Sequence, residues 1–240
     1  MIKNLLVRAL PAFALAVLPA VVAPAAYAVP SGQRAAAPVA GGPAGVRAPL
    51  PLVEAIDRLP VAREHREGYQ RTLYKHWNRG LNPSDGCDTR KEVILAEAVE
   101  APQVAAGCKL TGGTWRSAYD DTVVTDAARL DVDHFVPLAE VYDSEPAPWT
   151  AARREAYAND QDSPDTLIAV SAASNRSKAD KDPAEWMPPN AAYRCTYAAT
   201  WVGTKLRWDL AVDTAEHQAL MELAAQCPVT TVVYEPAPAV

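Results

Sequence analysis

The sequence predicts an α+β fold, in which a small strand–strand–helix core is embedded in a mainly helical single domain. Residues 131–138 form an apolar run in which residues 131–136 are predicted to be a strand, and Pro137 is well placed to start the helix after it. Residues 167–170 read as a second short buried strand, followed by a helix that Ser171 would cap. Four cysteines, an even number, add the expectation of two disulfides.

The first half of the predicted domain begins with a short helix over 51–58, whose apolar residues share one face. Thr89 is expected to cap a second helix over 90–99. Residues 109–115 read as strand, turn and strand, because the two adjacent glycines between the strands suit the positive φ of a hairpin.

The second half of the domain is predicted to be mostly helical. Thr150 would cap a helix over 151–158. Two longer helices follow the second strand, over 191–208 and 214–226, and Asp213 would cap the last one. The strand pair would therefore be surrounded by helices, most of which come from the carboxyl-terminal part of the chain.

The amino-terminal residues 1–28 are predicted to be a secretory signal peptide. Lys3 and Arg8 give a positively charged start, an apolar run follows, and Ala26-Tyr27-Ala28 is a small-x-small cleavage signal. A transmembrane anchor is the alternative, which is disfavoured because the apolar run is short and contains prolines. The mature protein is therefore expected to be secreted and extracellular, with no membrane attachment after cleavage.

Three further segments complete the predicted organisation. Residues 29–50, rich in Ala, Pro and Gly, read as a linker, residues 51–230 as the folded domain, and residues 231–240 as a flexible tail. Loss of Lys3 and Arg8 with the signal peptide changes the formal charge from −6 to −8. Such an acidic protein would bind nucleic acid only through a local basic patch or bound cations. The sequence indicates no protein partner.

The cysteines allow three disulfide pairings. Sequence proximity favours Cys87–Cys108 and Cys195–Cys227, and each bridge would stabilise the fold by about 3 kcal/mol in the chain-entropy model. A zinc site is the competing interpretation. It is weak, because the chain has no C-x-x-C spacing and its four histidines are scattered.

The candidate chemistry lies at the end of the first strand and on the later helix. His134 suits the role of a general base near neutral pH. Asp133 and the amide oxygen of Asn175 are hard oxygen ligands for one divalent cation of the Mg²⁺ type. Lys178, one helical turn after Asn175, could offer a positive charge to a phosphate. These are the groups that metal-assisted hydrolysis of a phosphodiester requires.

This pattern resembles the HNH, or ββα-metal, endonucleases. The residues that carry the resemblance are Val132-Asp133-His134-Phe135-Val136-Pro137, Leu167-Ile168-Ala169-Val170 and Ser174-Asn175-Arg176-Ser177-Lys178. Their D-H-x-x-P…N-x-x-K form is similar to the C-terminal domain of GmrSD-type restriction enzymes, and the wider pattern is similar to small exported actinobacterial proteins. The resemblance implies an HNH ββα-metal core and a secreted, metal-dependent endonuclease of low sequence specificity, with DNA as the favoured substrate and RNA as a second one.

The resemblance also implies a role for each site residue. His134 would be the general base, Asp133 and Asn175 would bind one Mg²⁺ or Mn²⁺ ion, and Lys178 would assist catalysis or exchange roles with Asn175. Arg176, Lys178 and Arg90 would contact the substrate. The family commonly has an Asn before the second strand that orients the catalytic histidine; Asp165 or Thr166 stands there in this chain.

Two alternative functions stay open at the level of sequence. The chain could be a catalytically inactive exported domain that keeps the HNH frame and binds a metal ion or another ligand. A serine hydrolase that uses Ser171 or Ser174 with His134 is the weaker alternative, because the sequence lacks a G-x-S-x-G nucleophile elbow.

Overall fold

The fold is taken from a computed structural model that describes residues 48–240. The predicted signal peptide at 1–28 and most of the predicted linker at 29–50 lie outside the described residues. Within residues 48–240 the chain forms both helices and short antiparallel strand pairs, which confirms the predicted α+β class. No helix in this part of the chain combines the length and hydropathy that a membrane crossing requires.

Seven α-helices lie in the described part of the chain. They are α1 (Leu52–Ile56), α2 (Thr89–Ala96), α3 (Leu138–Ser144), α4 (Ala151–Ala158), α5 (Ala172–Lys178), α6 (Arg194–Trp208) and α7 (Thr214–Gln226). The side chains of Thr150, Ser171 and Asp213 accept N–H groups of α4, α5 and α7, as predicted. At α2 the cap is Asp88 instead of Thr89, because the Asp88 carboxylate accepts the N–H of Lys91.

Eight short strands form four antiparallel pairs within residues 48–240. The strands are β1 (Leu50–Pro51), β2 (Gln103–Ala105), β3 (Lys109–Thr111), β4 (Trp115–Ser117), β5 (Thr122–Val124), β6 (Leu130–His134), β7 (Leu167–Ser171) and β8 (Thr231–Val232). β1 pairs with β8, β2 with β3, β4 with β5 and β6 with β7. The β6–β7 pair is the longest, with His134 opposite Leu167 and Leu130 opposite Ser171.

The β6–β7 pair lies between two hydrophobic clusters. Leu167 and Ala169 pack in a smaller cluster with residues of α2 and β4, whereas Ile168 and Val170 pack in or against a larger cluster. Successive side chains of a strand point to opposite faces, so both faces of this pair are covered. The larger cluster is built on the apolar face of α6 and includes fully buried Trp201.

Two disulfides connect neighbouring elements, and both have the predicted pairing. Cys87 is bonded to Cys108, which holds the start of α2 to the turn before β3. Cys195 is bonded to Cys227, which joins the first turn of α6 to the end of α7. The described residues contain no free cysteine, so these thiols are not available as zinc ligands.

The carboxyl-terminal end differs from the flexible tail predicted at 231–240. Thr231 and Val232 pair with β1, and the Thr230 carbonyl accepts the N–H of Leu52 at 2.9 Å. Arg207 then donates from Nη1 to the carbonyl of Glu235 at 2.8 Å. The segment is held because its backbone finds hydrogen-bond partners on β1 and α6, so the ordered domain extends beyond the predicted limits of 51–230.

Candidate functional site

The β6–β7 pair and helix α5 form the frame of the candidate site. α5 follows β7 directly, because the hydroxyl of Ser171 at the end of the strand accepts the N–H of Ser174 at 3.2 Å. Phe135, just after β6, donates its N–H to the Thr166 carbonyl at 2.9 Å and extends the strand pairing. Two antiparallel strands and a helix therefore occur in the order that the sequence predicts.

A cleft of about 440 Å³ opens beside this frame. Four of the predicted site residues, Asp133, His134, Asn175 and Arg176, line it. The remaining lining residues are Tyr69, Arg71, Val132, Pro137, Leu138, Ala139, Ala179 and Asp180. The end of β6 and the middle of α5 therefore contribute to one shared surface.

The His134 ring is fixed by a hydrogen bond to the backbone. Nε2 lies 3.0 Å from the carbonyl oxygen of Ala158, the last residue of α4. A carbonyl oxygen can only accept, so Nε2 carries the proton and donates it. In the neutral ring, Nδ1 then has a free lone pair. This is the tautomer that a general base needs.

Aromatic rings enclose His134 on two sides. The rings of Trp77 and Tyr157 stack near it, with centroid distances of 5.2 Å and 6.1 Å, and His76 approaches it edge-on at 5.8 Å. Burial in this environment lowers the pKa of His134 to about 3, although the Ala158 carbonyl opposes the shift. The imidazole is therefore neutral throughout the physiological pH range.

Asp133 is held by a buried ion pair below the cleft surface. Its Oδ2 accepts hydrogen bonds from the Tyr119 hydroxyl at 2.7 Å and from Lys178 Nζ at 2.6 Å. Burial raises the pKa of Asp133, and the Lys178 ammonium limits the rise. Both hydrogen bonds go to Oδ2, so neither of them engages the second carboxylate oxygen, Oδ1.

Lys178 occupies a different place from the one expected of a residue that contacts substrate. Its side chain is 0% exposed, and Nζ also donates to the His134 carbonyl at 3.3 Å. Burial lowers the pKa of Lys178, and Asp133 opposes that shift. The ammonium therefore positions Asp133 and the end of β6 from beneath, and the structure does not place it in the cleft.

Asn175 and Arg176 lie side by side on α5 and both approach Asp131. Asn175 donates from Nδ2 to Asp131 Oδ2 at 3.3 Å, which leaves the amide oxygen unused by this bond. Arg176 Nε lies 3.6 Å from the same carboxylate oxygen, and its side chain is 76% exposed. Asp131 therefore orients the amide, while the guanidinium stays accessible at the cleft.

Arg90 is not brought together with the other site residues. Its Nη2 donates to the Leu130 carbonyl at 2.6 Å, at the beginning of β6. The residue lines a second cleft near the Cys87–Cys108 disulfide and does not line the one that contains His134. Arg90 therefore supports β6 from α2, at the end of the strand opposite to the site.

The group that orients His134 is one that the sequence did not reveal. Neither Asp165 nor Thr166 makes the bond, since the Thr166 hydroxyl donates to Asp160 at 2.6 Å. A backbone carbonyl, that of Ala158, does so instead. Every residue type has a backbone carbonyl, so the identity of residue 158 gives no signal for this hydrogen bond. The adjacent Asn159 is the one polar residue that could have indicated it. Tyr119, Trp77 and Tyr157 were missed for a similar reason, because aromatic residues usually indicate core packing.

The two candidate nucleophilic serines are engaged with each other. Ser171 Oγ and Ser174 Oγ are 2.8 Å apart, and Ser171 Oγ also donates to Asp120 at 2.5 Å. Both hydroxyls lie at the amino-terminal end of α5, where Ser171 is the N-cap residue. His134 instead bonds to Ala158, so this geometry gives no support to a serine hydrolase.

The residues at the cleft fit the divalent cation that the resemblance implies. Asp133 and Asn175 each have a side-chain oxygen that is not used in the hydrogen bonds described above, and both residues line the cleft. Hard cations such as Mg²⁺ and Mn²⁺ prefer such oxygen ligands and keep several waters. Two protein oxygens are therefore a chemically suitable, though incomplete, coordination set.

Fold and site together define a class of protein: a disulfide-stabilised α+β domain whose strand–strand–helix frame places Asp133, His134 and Asn175 at one cleft. The family model of the C-terminal domain of GmrSD restriction endonucleases matches residues 77–223. That match covers more than half of the chain, and the protein belongs to this family. The predicted similarity to the GmrSD C-terminal domain is thereby confirmed, while the HNH ββα-metal core and the resemblance to actinobacterial proteins stay predictions.

A relative from Arthroderma benhamiae, described as an uncharacterized secreted protein, is 38% identical over 162 residues. The aligned region covers 68% of this chain and 77% of the relative. This similarity supports the predicted location, and the protein is secreted. No solved structure matches the chain.

Proposed function

We propose that this protein is a secreted endonuclease that hydrolyses phosphodiester bonds of DNA with the help of one divalent cation. Membership of the GmrSD C-terminal domain family supports a nuclease-like role. The β6–β7–α5 unit would be its HNH ββα-metal core. RNA is a second expected substrate, and the absence of a visible recognition module in the sequence favours low sequence specificity.

The observation that carries this proposal is the state of His134. Its Nε2–H is held by the Ala158 carbonyl, its Nδ1 has a free lone pair, and it lines the same cleft as Asp133. In the proposed reaction Nδ1 accepts a proton from water, the water oxygen attacks phosphorus, and the P–O bond to the leaving oxygen breaks. The leaving oxygen then takes a proton from solvent water and departs as a hydroxyl group. Positioned general bases contribute rate factors of about 10² to 10⁴.

The other site residues would bind and position. Asp133 and Asn175 would hold one Mg²⁺ or Mn²⁺ ion, which would neutralise charge on the scissile phosphate. Lys178 would keep Asp133 in place through the 2.6 Å ion pair rather than touch the substrate. Arg176 and Arg71, both at the cleft, are the cationic groups that would attract the nucleic-acid backbone.

Two observations favour a second function. Asp133 is already paired with Lys178, and the protein is acidic overall, with a formal charge of −6. Both features suit a catalytically inactive exported domain that binds a metal ion or another ligand on the same frame. Metal binding without hydrolysis of DNA or RNA would indicate this function.

The test is a nicking assay on supercoiled plasmid with the mature chain and either Mg²⁺ or Mn²⁺. The endonuclease proposal predicts nicks that require the cation, disappear with a chelator and disappear in His134→Ala. His217→Ala is the matched control, because His217 does not line the cleft. Equal activity of wild type and His134→Ala, or no nicking of DNA or RNA with any divalent cation, would contradict the proposal.

A further inference from the structure

Five carboxylates lie close together in a region away from the cleft, and none of them lines the cleft. They fall into two overlapping groups that have Glu64 in common. One group is Glu64, Glu140 and Asp143, and the other is Glu64, Asp182 and Glu216. Within each group one carboxylate oxygen of every member lies within 4.8 Å of the others. Oxygens that share a Ca²⁺ ion at about 2.3–2.6 Å lie up to about 5 Å apart.

The cations in direct contact balance only part of this negative charge. Lys205 Nζ is buried and pairs with Glu140 at 2.7 Å and with Glu216 at 2.6 Å. Arg66 pairs with Asp143 at 2.5 Å. Five carboxylates therefore face two cations in ion-pair contact. Consistent with this surplus, burial and the neighbouring carboxylates raise the pKa of Glu64 to about 7.

Asp143 supplies a second observation that points to a cation in this region. The residue is 3% exposed, and both contacts from Arg66 go to Oδ2. Its other oxygen, Oδ1, is buried and has no hydrogen-bond partner. A buried carboxylate oxygen without a partner is unfavourable by a few kcal/mol, and most such atoms in native proteins are satisfied. A cation bound between α3 and Glu64 would supply that partner.

We propose that Glu64, Glu140 and Asp143 bind one divalent cation of the Ca²⁺ type, at a site separate from the cleft. The donors are oxygens alone, without His or Cys, which favours a hard cation. Glu64 enters from an exposed segment and Glu140 and Asp143 from one face of α3, so the ring of ligands can adjust to the larger and less demanding Ca²⁺.

The proposed site would connect the exposed segment that contains Glu64 to helix α3. Glu64 precedes Tyr69 and Arg71, which line the cleft, and α3 follows the Asp133-His134 pair. A cation between Glu64 and α3 would therefore hold one wall of the cleft against the other. None of the three ligands lines the cleft, so binding of this cation can be measured without any assay of nuclease activity.

The direct test is isothermal titration of chelator-treated mature protein with Ca²⁺, beside thermal unfolding. We expect one ion per chain at this site, in addition to any ion that the cleft binds, with a Kd of about 10⁻⁴ to 10⁻³ M, the range of extracellular modules. Saturating Ca²⁺ should raise the Tm by about 2–10 °C. Glu64→Gln, at a position outside the core, should weaken binding at least tenfold and remove most of the rise in Tm.

Glu67→Gln is the matched control, because Glu67 lies three residues further along the same exposed segment and outside both carboxylate groups. It should bind Ca²⁺ as wild type does, and Asn175→Ala, which alters only the cleft, should keep the ion bound at Glu64, Glu140 and Asp143. Absence of Ca²⁺ binding by the wild type would overturn the proposal. Equal affinity in wild type and Glu64→Gln, or loss of binding in Asn175→Ala, would also overturn it.

Discussion

At the scale of single residues, the site depends on how buried polar groups are satisfied. His134 and Asp133 are adjacent in sequence but receive opposite partners. The Ala158 carbonyl accepts a hydrogen bond from the imidazole, whereas the Lys178 ammonium and the Tyr119 hydroxyl donate hydrogen bonds to the carboxylate. Each partner fixes one orientation, so the imidazole and the carboxylate are positioned before any ligand binds.

The low pKa of His134 predicts a particular dependence of stability on pH. The folded protein keeps the ring neutral down to about pH 3, while the unfolded chain binds a proton near pH 6.5. The contribution of His134 to the free energy of unfolding is therefore complete above pH 6.5 and is lost as the pH falls toward 3. Wild type should lose stability relative to His134→Gln by up to about 1.4 kcal/mol per pH unit in this window.

Urea unfolding of both proteins at pH 7, 6 and 5 measures this difference. His134→Gln is the suitable reference because its side chain does not titrate and is close in size. A constant stability difference between pH 7 and pH 5 would mean that His134 titrates normally in the folded protein.

Lys178 should be needed for stability as well as for the site. Lys178→Met leaves the Asp133 carboxylate buried without its cation, which should reduce the free energy of unfolding by about 3–5 kcal/mol. Adding Asp133→Asn should recover much of this loss, because the unpaired charge is then removed. Denaturant unfolding of both single variants and the double variant gives the coupling energy. A loss below about 1 kcal/mol in Lys178→Met would argue against a strong buried ion pair.

At the scale of elements, the central frame follows from local sequence signals. The strands β6 and β7, helices α4 and α7, and three of the caps lie at or within a few residues of their predicted positions, because their apolar runs and polar caps are short-range features. Strand pairing was harder to predict. Gly112 and Gly113 have the expected positive φ, but they separate two hairpins, because β3 pairs with β2 and β4 with β5.

The features that could not be predicted from the sequence are mostly contacts between residues far apart in the chain. The ion pair of Asp133 and Lys178 joins residues 45 apart, and the bond from His134 to Ala158 uses a backbone atom with no sequence signature. The pairing of β8 with β1 also brings the two ends of the domain together. Composition alone suggested a flexible tail there, since prolines and alanines give no indication of a distant partner strand.

The two disulfides should contribute comparably to stability. They close loops with sequence separations of 21 and 32, for which the chain-entropy model gives about 3 kcal/mol each. Cys87→Ser with Cys108→Ser, and Cys195→Ser with Cys227→Ser, should each lower the free energy of unfolding by about that amount. Denaturant midpoints of the two double variants check this. A double variant as stable as wild type would show that its bridge does not constrain the unfolded chain.

At the scale of the whole molecule, an acidic secreted protein must concentrate positive charge locally to bind a polyanion. Arg176 is the most exposed site residue whose position at the cleft is established, with a side chain 76% accessible. Arg176→Ala should raise the KM for DNA severalfold and reduce its dependence on salt, because a phosphate contact is removed. The free energy of unfolding of the Arg176→Ala variant should stay within about 0.5 kcal/mol of that of wild type.

Plasmid-nicking kinetics at several salt concentrations measure this effect. Arg58→Ala is the matched control, because Arg58 is exposed and does not line the cleft. An unchanged KM and salt dependence in Arg176→Ala would remove this residue from the proposed substrate contact.

The most direct test of the central claim is the rate of plasmid nicking by His134→Gln at pH 7 with Mg²⁺ or Mn²⁺. His134 as general base predicts a rate about 10² to 10⁴ times lower than that of wild type. His217→Ala should retain the wild-type rate, and thermal unfolding should show that His134→Gln is folded. A folded His134→Gln variant that nicks DNA at the wild-type rate would contradict the assignment of His134 as the catalytic base.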